Sequence, residues 1–315
     1  MAKLLITGAT GLLGRYLAKE SRRKYEVFGI SRKALPWEPS CNHECVDLTD
    51  ENRTVRYLKN VRPDVIAHCA ALTDVERCET EPMYARAINS DATETLARWS
   101  AENHATFVLI STDSVFDGAA GAYHEEDRTC PVNEYTRSKL AAEKAAIACC
   151  PDALIIRTNF FGWAERSRLG LAEWMLTKLI ADEPLRAFTD VRFSPLYAHD
   201  LTKIILELMR REASGVFHVA TRDSCSKYEF ALLLAEVFQV PTTSIKPIQL
   251  KEFSFKAQRP RDTTLAVDKV TAYLEREMPT VKQGIEAMQK EMLINVEFYV
   301  ASQHHEWAPP LLRQH

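Results

Sequence analysis

The chain has 315 residues, 46% of them hydrophobic and 26% charged, and its 40 basic and 43 acidic side chains leave a formal net charge of −3. This is room for one large domain, or a large domain with a smaller one attached, with enough apolar content for a proper core. The charge balance gives no bulk attraction for nucleic acid, the five Trp form no stacking stripe among basic residues, and no run of eighteen apolar residues suggests a membrane span.

In chain order, MAKLLITGATGLLG lacks a long apolar signal region and a cleavage signature, so Lys3 to Thr7 reads as a first strand. Gly8, Gly11 and Gly14 follow, then a helical stretch to about Arg23. The spacing G-x-x-G-x-x-G differs from the common dinucleotide fingerprint, but the physics is shared. One glycine permits the tight turn, one lets the backbone approach a diphosphate, and one lets the helix pack closely. The diphosphate would sit at the helix N-terminus, beside Leu12 and Leu13. The alternative is a glycine-rich turn with no ligand.

Glu26 to Ile30 is the second strand, and it ends FGISRKA. An acid there would hold a ribose 2′-hydroxyl, whereas Ser31, Arg32 and Lys33 present a hydroxyl and two cations suited to a 2′-phosphate. NADP, used as NADPH, is therefore favoured over NAD, with a solvated turn as the alternative. Cys41, His43 and Cys45 invite a zinc reading, but no second ligand cluster is visible, so CNHEC reads as a loop before a strand and no metal is assigned. Asp47, in CVDLTD, either accepts from an adenine amino group or caps the helix that follows.

Glu51 to Asn60 reads as that helix, with Thr49 or Asp50 as N-cap. Asp64 to Cys69 is a strand, followed by a long helical region reaching Trp99. Thr106 to Thr112 is a buried strand, Asn133 to Ala148 an Ala-rich helix and Ala153 to Thr158 another strand. Short apolar runs alternating with longer helices imply an α/β doubly wound parallel sheet covered on both faces. Residues 1–160 form this domain, and residues 161–292 form mainly a smaller lobe over the carboxyl edge of the sheet, where ligands bind. Helices are expected at 168–181, 200–213, 226–238 and 280–291, with short strands such as Gly215 to Ala220 between them. Phe193 to Tyr197 is a candidate to return to the main sheet. Trp174 and Met175 read as core residues of a lobe helix. Residues 293–315 read as an irregular tail in which His304 and His305 face solvent. The eight Cys are scattered with no C-x-x-C pair, which favours buried thiols in a reducing, cytoplasmic setting.

Tyr135 and Lys139 lie four apart in a helical stretch and so share a face. An ammonium beside a phenol lowers the phenol pKa toward working pH, which suits proton transfer to a carbonyl oxygen. Thr112, at its strand end, could bind the same oxygen. Alone, a Y-x-x-x-K pair reads as a solvated helix surface; its occurrence with the glycine loop and a strand-end Thr points to a site.

With these residues in place, the chain resembles the extended short-chain dehydrogenase/reductase superfamily, and within it the dTDP-4-dehydrorhamnose reductase family, from Lys3 to about Met292. The resemblance is carried by STDSVFDG, then Tyr123, Glu125 and Asp127, then PVNEYTRSKLAAEK, with further matches in RPDVIAHCAALTDVERCE, AINSDAT, FSPLYAHDLTKII, GVFHVA and RPRDTTL. It implies a Rossmann-type fold and a catalytic triad of Thr112, Tyr135 and Lys139, with Lys139 also holding the coenzyme. It places coenzyme contacts on Gly8 to Gly14, Ala70, Ala71 and Asn89. It puts a nucleotide-sugar substrate near Asn159, Phe160 and Trp163 and near Arg259 and Arg261, whose guanidinium forks suit a diphosphate. A homodimer, and a divalent ion at its interface, occur in some members.

The departures are Ser114 where the family has Tyr, Thr136 where it has Gly, and Asn159 and Phe160 where it has Ser or Ala and then Trp. The last pair bears on which sugar is bound. The implied activity is reduction of a keto group on a nucleoside-diphosphate deoxysugar. Two rivals stand beside it. The regulatory subunit of methionine adenosyltransferase shares the resemblance and acts by binding a partner enzyme, and a nucleotide-sugar epimerase needs only the coenzyme and the Tyr. A dehydratase would use Asp113 followed by Glu, whereas Ser114 follows here.

Overall fold

Leu4, Leu5 and Ile6 are all buried, and they alternate between two different apolar clusters, as a strand covered on both faces requires. They belong to the central sheet of a computed structural model that describes residues 1–33, 41–164 and 169–302, with only the backbone described over 295–302. The first half alternates strand and helix: β1 (Ala2–Thr7), α1 (Leu12–Ser21), β2 (Tyr25–Ser31), β3 (Asn42–Cys45), α2 (Glu51–Val61) and β4 (Val65–His68). There follow α3 (Val75–Thr80), α4 (Pro82–Arg86), a π-helical turn at Ala87–Asp91, α5 (Ala92–Glu102), β5 (Thr106–Ile110), α6 (Glu134–Cys149) and β6 (Leu154–Arg157).

The second half holds β7 (Phe160–Phe161), α7 (Leu171–Ile180), β8 (Leu185–Phe188), β9 (Arg192–Phe193), β10 (Leu196–Tyr197), α8 (Ala198–Arg210) and β11 (Gly215–His218). It ends with β12 (Cys225–Ser226), α9 (Lys227–Phe238), β13 (Ile245–Ile248), α10 (Asp268–Leu274) and α11 (Val281–Ser302).

The main sheet is seven-stranded and runs β3-β2-β1-β4-β5-β6-β11, every neighbouring pair parallel. Strand order reverses between β1 and β4, and at such a switch point the loops diverge and leave a crevice. One face is covered by α1, α8 and α10 through Leu13, Leu17, Leu201, Ile205 and Val270. The other is covered by α2, α5 and α6 through Leu58, Leu96, Trp99, Ala142 and Ala146. A separate apolar cluster joins α7, α9 and α11 and includes Trp163, Met175, Phe193, Phe230 and Met288. Tyr16 of α1 donates to Glu291 of α11 at 2.6 Å, and Tyr197 donates to the same carboxylate oxygen, which ties this lobe to the glycine-loop helix.

Several expectations are corrected. Gly215 to His218 is not a lobe strand: it pairs with Leu154 to Arg157 as the seventh strand of the main sheet. Phe193 to Tyr197 does not return to that sheet. It divides into β9 and β10, which join two separate two-stranded sheets, because Pro195 between them has no N–H to continue a ladder. CNHEC is no loop, since Asn42–Cys45 is the edge strand itself. Trp174 is 39% exposed while Met175 is buried, as neighbours on a helix face different ways. The tail is helical through Ser302, for no Gly or Pro lies between Gly284 and Pro309 to stop it. His304 and His305 lie outside the described residues. All eight cysteines are free. No described helix is long and apolar enough to cross a membrane.

Candidate active site

Tyr135 stands in the first turn of α6, and the start of that helix is tightly specified. Asn133 accepts from Thr136 N at 3.0 Å, and the Asn133 N–H donates back to Thr136 Oγ1 at 3.2 Å. This reciprocal cap satisfies donors that a helix start leaves open. It also gives a local reason for Thr136, where the resembled family has Gly. Tyr135 is half-buried and lines a cleft of about 280 Å³ with Ser114, Asn159, Phe188, Lys227 and Arg259 among others.

Thr112 follows β5 and is buried. It donates to Asp113 Oδ1 at 3.1 Å and accepts from Ser114 N at 3.2 Å. Burial raises the Tyr135 phenol above its ordinary value, opposed by the neighbouring Thr112 side chain. Asp113 is a hub that the sequence reading weighed only as a dehydratase acid. Its carboxylate also accepts from Ser114 Oγ at 2.9 Å, Asn159 Nδ2 at 3.0 Å and Thr263 Oγ1 at 2.8 Å. With these donors on it, Asp113 ties together Thr112, Asn159 and Thr263, the last two of which line the cleft with Tyr135.

Lys139 is buried one turn below Tyr135, and its Nζ donates to Ile110 O at 2.7 Å. Burial lowers it to about 8, opposed by Glu143 and Cys69. Besides burial, the groups that act on the Tyr135 phenol are Thr112, Asp113 and Cys78. The Lys139 charge bears on the buried His68 and on Cys69 at the end of β4. With the phenol raised by burial, Tyr135 keeps its proton through neutral pH, which is the state a proton donor needs.

A second cleft, of about 400 Å³, opens at the switch point and is lined by Gly8, Gly11, Leu12, Leu13, Gly14, Ser31, Arg32, Asp47, Ala70 and Ala71. Gly8 has φ +64°, and a Cβ on it would lie 2.8 Å from Ala70 N. A Cβ on Gly14 would meet Gly8 O, so α1 packs against the turn only because none is there. Such a backbone cradle at a helix N-terminus fits a dinucleotide diphosphate. Ser31 Oγ donates to Lys33 O at 2.8 Å and lies 2.8 Å from His43 Nε2. Arg32 donates to Tyr84 Oη at 2.5 Å and is exposed at the rim. Asp47 accepts from Thr49 N and Oγ1 at 3.0 and 2.8 Å. Asp50 caps α2 through Arg53 N at 2.9 Å, so capping falls to Asp50 and Asp47 stays at the cleft.

Other candidates lie elsewhere. Lys33 is exposed and does not line this cleft. Asn89, in the π-helical turn, is buried and binds Leu72 N, Leu72 O and Ser138 Oγ, which fixes the loop after β4 to α6. Phe160 lines the glycine-loop cleft and not the Tyr135 cleft. Trp163 is 4% exposed, belongs to the lobe core and donates to Met288 O at 3.0 Å, so it is a packing residue. Arg259 lines the Tyr135 cleft but is paired with Glu76 at 2.7 Å, and Arg261 is exposed outside it. Lys227 and Arg192 line the Tyr135 cleft and went unforeseen, since neither falls in a motif with a chemical signature. Among the described residues, no cluster of three or more His, Cys, Asp and Glu could hold a metal ion.

Comparison with known proteins agrees with this geometry. Residues 2–294 match the family model described as the RmlD substrate binding domain. The chain is 34% identical over 289 residues to the probable low-salt glycan biosynthesis reductase Agl14 of Haloferax volcanii, covering 90% of this chain and 96% of that one. It is 31% identical over 277 residues to methionine adenosyltransferase 2 subunit beta of Pongo abelii, covering 85% and 81%. Among solved structures it is similar to dTDP-4-dehydrorhamnose reductase of Bacillus anthracis in complex with NADP, at 28% identity and a TM-score of 0.83 over 92% of this chain and 100% of that one.

Proposed function

Because the chain belongs to the RmlD substrate-binding domain family, we propose that it is an NADPH-dependent reductase acting on a keto group of a deoxysugar linked to a nucleoside diphosphate. The observation that carries this reading is a cleft lined by Tyr135 together with Ser114, Asn159 and Thr263, whose side chains Asp113 holds along with that of Thr112. The glycine-loop cleft beside it supports a bound dinucleotide, and Agl14 and the Bacillus anthracis protein are both named as reductases.

In this reading Gly8, Gly11 and Gly14 cradle the coenzyme diphosphate, with Ala70 and Ala71 forming the opposite wall. Ser31 and Arg32 take the 2′-phosphate, Asp47 faces the adenosine end, and Lys139 holds the ribose next to the nicotinamide. When bound, the reduced coenzyme supplies a hydride to the carbonyl carbon. Thr112 and Tyr135 orient the carbonyl oxygen, and the Tyr135 Oη proton passes to it as negative charge develops there. Thr112, which lowers the Tyr135 phenol, favours the phenolate that Tyr135 becomes. Asn159 faces the sugar, held in place by Asp113.

The test is NADPH and NADH oxidation against a panel of nucleotide-linked keto-sugars that includes dTDP-4-dehydrorhamnose. The expected result is turnover of at least one of them, faster with NADPH. No turnover across the panel, with NADPH binding intact, would refute it. The likeness to methionine adenosyltransferase 2 subunit beta supports a second reading, in which the fold serves a partner enzyme. Co-purification with a methionine adenosyltransferase catalytic subunit would then be the next experiment.

A further inference from the structure

Among the cations that line the Tyr135 cleft, Arg259 is paired with Glu76 at 2.7 Å and Arg192 with Glu229 at 3.2 Å. Lys227 is different. Its ammonium lies 3.0 Å from the centre of the Phe193 ring, and no described carboxylate is within ion-pair distance of it. Asp113 acts on it only at longer range, and the Asp113 oxygens are already taken by hydroxyl and amide donors.

Fold stability does not explain a lysine here. Lys227 is the first residue of α9, where the helix dipole is positive and a cation is disfavoured. It is half-buried, and withdrawing an unpaired charge from water costs free energy. Burial accordingly lowers it to about 8, so it is mostly charged at neutral pH. An aromatic face and an aliphatic stem hold the ammonium in the cleft wall. What the position lacks is an anion.

We propose that Lys227 is the anion anchor of the substrate cleft and takes the diphosphate of a nucleotide-linked substrate. This rests on the nucleotide-sugar reading above. It gives to Lys227 the role that guanidinium chemistry suggested for Arg259 and Arg261, one of which is neutralised by Glu76 and the other of which lies outside the cleft. The diphosphate completes a site that folding leaves short of one negative group.

The test is calorimetric titration of the NADP⁺-saturated protein with dTDP, which keeps the probe out of the coenzyme cleft, and separately with thymidine. Lys227→Met is expected to weaken dTDP binding about 10-fold or more, the scale of one lost charge-assisted hydrogen bond. Thymidine and NADP⁺ binding should be unchanged, thermal stability should be equal or higher, and Lys227→Arg should recover most of the dTDP affinity. If Lys227→Met does not fold, Lys227→Gln carries the same comparison. Wild-type affinity for dTDP in a folded Met or Gln variant would overturn the assignment of Lys227 alone. A wild-type protein that binds NADP⁺ but neither dTDP nor UDP would overturn the nucleotide-sugar reading, and this inference with it.

Discussion

Glu143 lies one turn beyond Lys139 on α6, and its carboxylate ties together the three elements that carry the site. It pairs with Arg157 of β6 at 2.8 Å, with the two side chains only 2% and 6% exposed. Arg157 Nε also reaches both carboxylate oxygens, at 3.1 and 3.2 Å. Ser111, the residue before Thr112, donates to the same carboxylate at 2.5 Å. Replacing Glu143 by Met fills the space but leaves the Arg157 charge with only the Glu125 carbonyl at 3.3 Å, His218 Nε2 at 3.4 Å and the face of Phe116. Removing one member of a buried pair costs about 3–5 kcal/mol, a large share of the roughly 5–15 kcal/mol that holds a typical domain folded. Replacing both members by apolar residues is often close to neutral, because no charge is then stranded. Urea unfolding followed by tryptophan fluorescence should therefore rank Glu143→Met as less stable than Glu143→Met/Arg157→Met. A single variant that loses less than about 1 kcal/mol, or a double variant whose loss is the sum of the two singles, would refute this reasoning.

Gly8→Ala places a Cβ 2.8 Å from Ala70 N at a φ of +64°, so NADPH affinity should fall about 10-fold or more by fluorescence titration, the strain of a left-handed non-glycine residue being about 1–3 kcal/mol. Affinity equal to wild type would contradict the cradle. Arg32→Ala should weaken NADPH about 10-fold and leave NADH unaffected, since only the 2′-phosphate loses a charge-assisted partner; equal losses for both coenzymes would remove Arg32 from that role. Burial lowers Lys139 to about 8 in the folded protein, below its ordinary value of 10.5. Between those values the unfolded chain still binds this proton and the folded chain does not, so the contribution of Lys139 to stability rises with pH across that window. Relative to Lys139→Met, the wild type should gain stability in denaturant titrations as pH rises from 8 toward 10.5. A constant difference between the two would show that Lys139 is not desolvated as described.

What was legible in the sequence was what is local. The glycine spacing, the strand runs and the four-residue step from Tyr135 to Lys139 are each set within a few residues, and the α/β doubly wound sheet follows from their alternation. What was not legible depends on distant partners. Gly215 to His218 and Phe193 to Tyr197 are both short runs; Pro195 divides the second, and the first joins the main sheet at the edge left open by Leu154 to Arg157. Trp163 adjoins the Asn159–Phe160 segment, but its indole is drawn into the lobe core by Met288 from α11. Arg259 shows a phosphate-binding side chain in the sequence, whereas its neutralisation by Glu76 comes from a residue 183 positions away. Asp113 becomes a hub only when Thr263, 150 positions on, reaches it. Lys227 is an ordinary first-turn residue until the fold sets it over Phe193.

The most direct measurement is single-turnover reduction of a nucleotide-linked keto-sugar by wild type and Tyr135→Phe, with NADPH affinity measured alongside. Loss of about 100-fold or more in the reduction rate with NADPH affinity intact is expected for removal of a positioned acid. A Tyr135→Phe variant that reduces the sugar at the wild-type rate would contradict the role of Tyr135 as proton donor and, with it, the reading of this cleft as the reductase site.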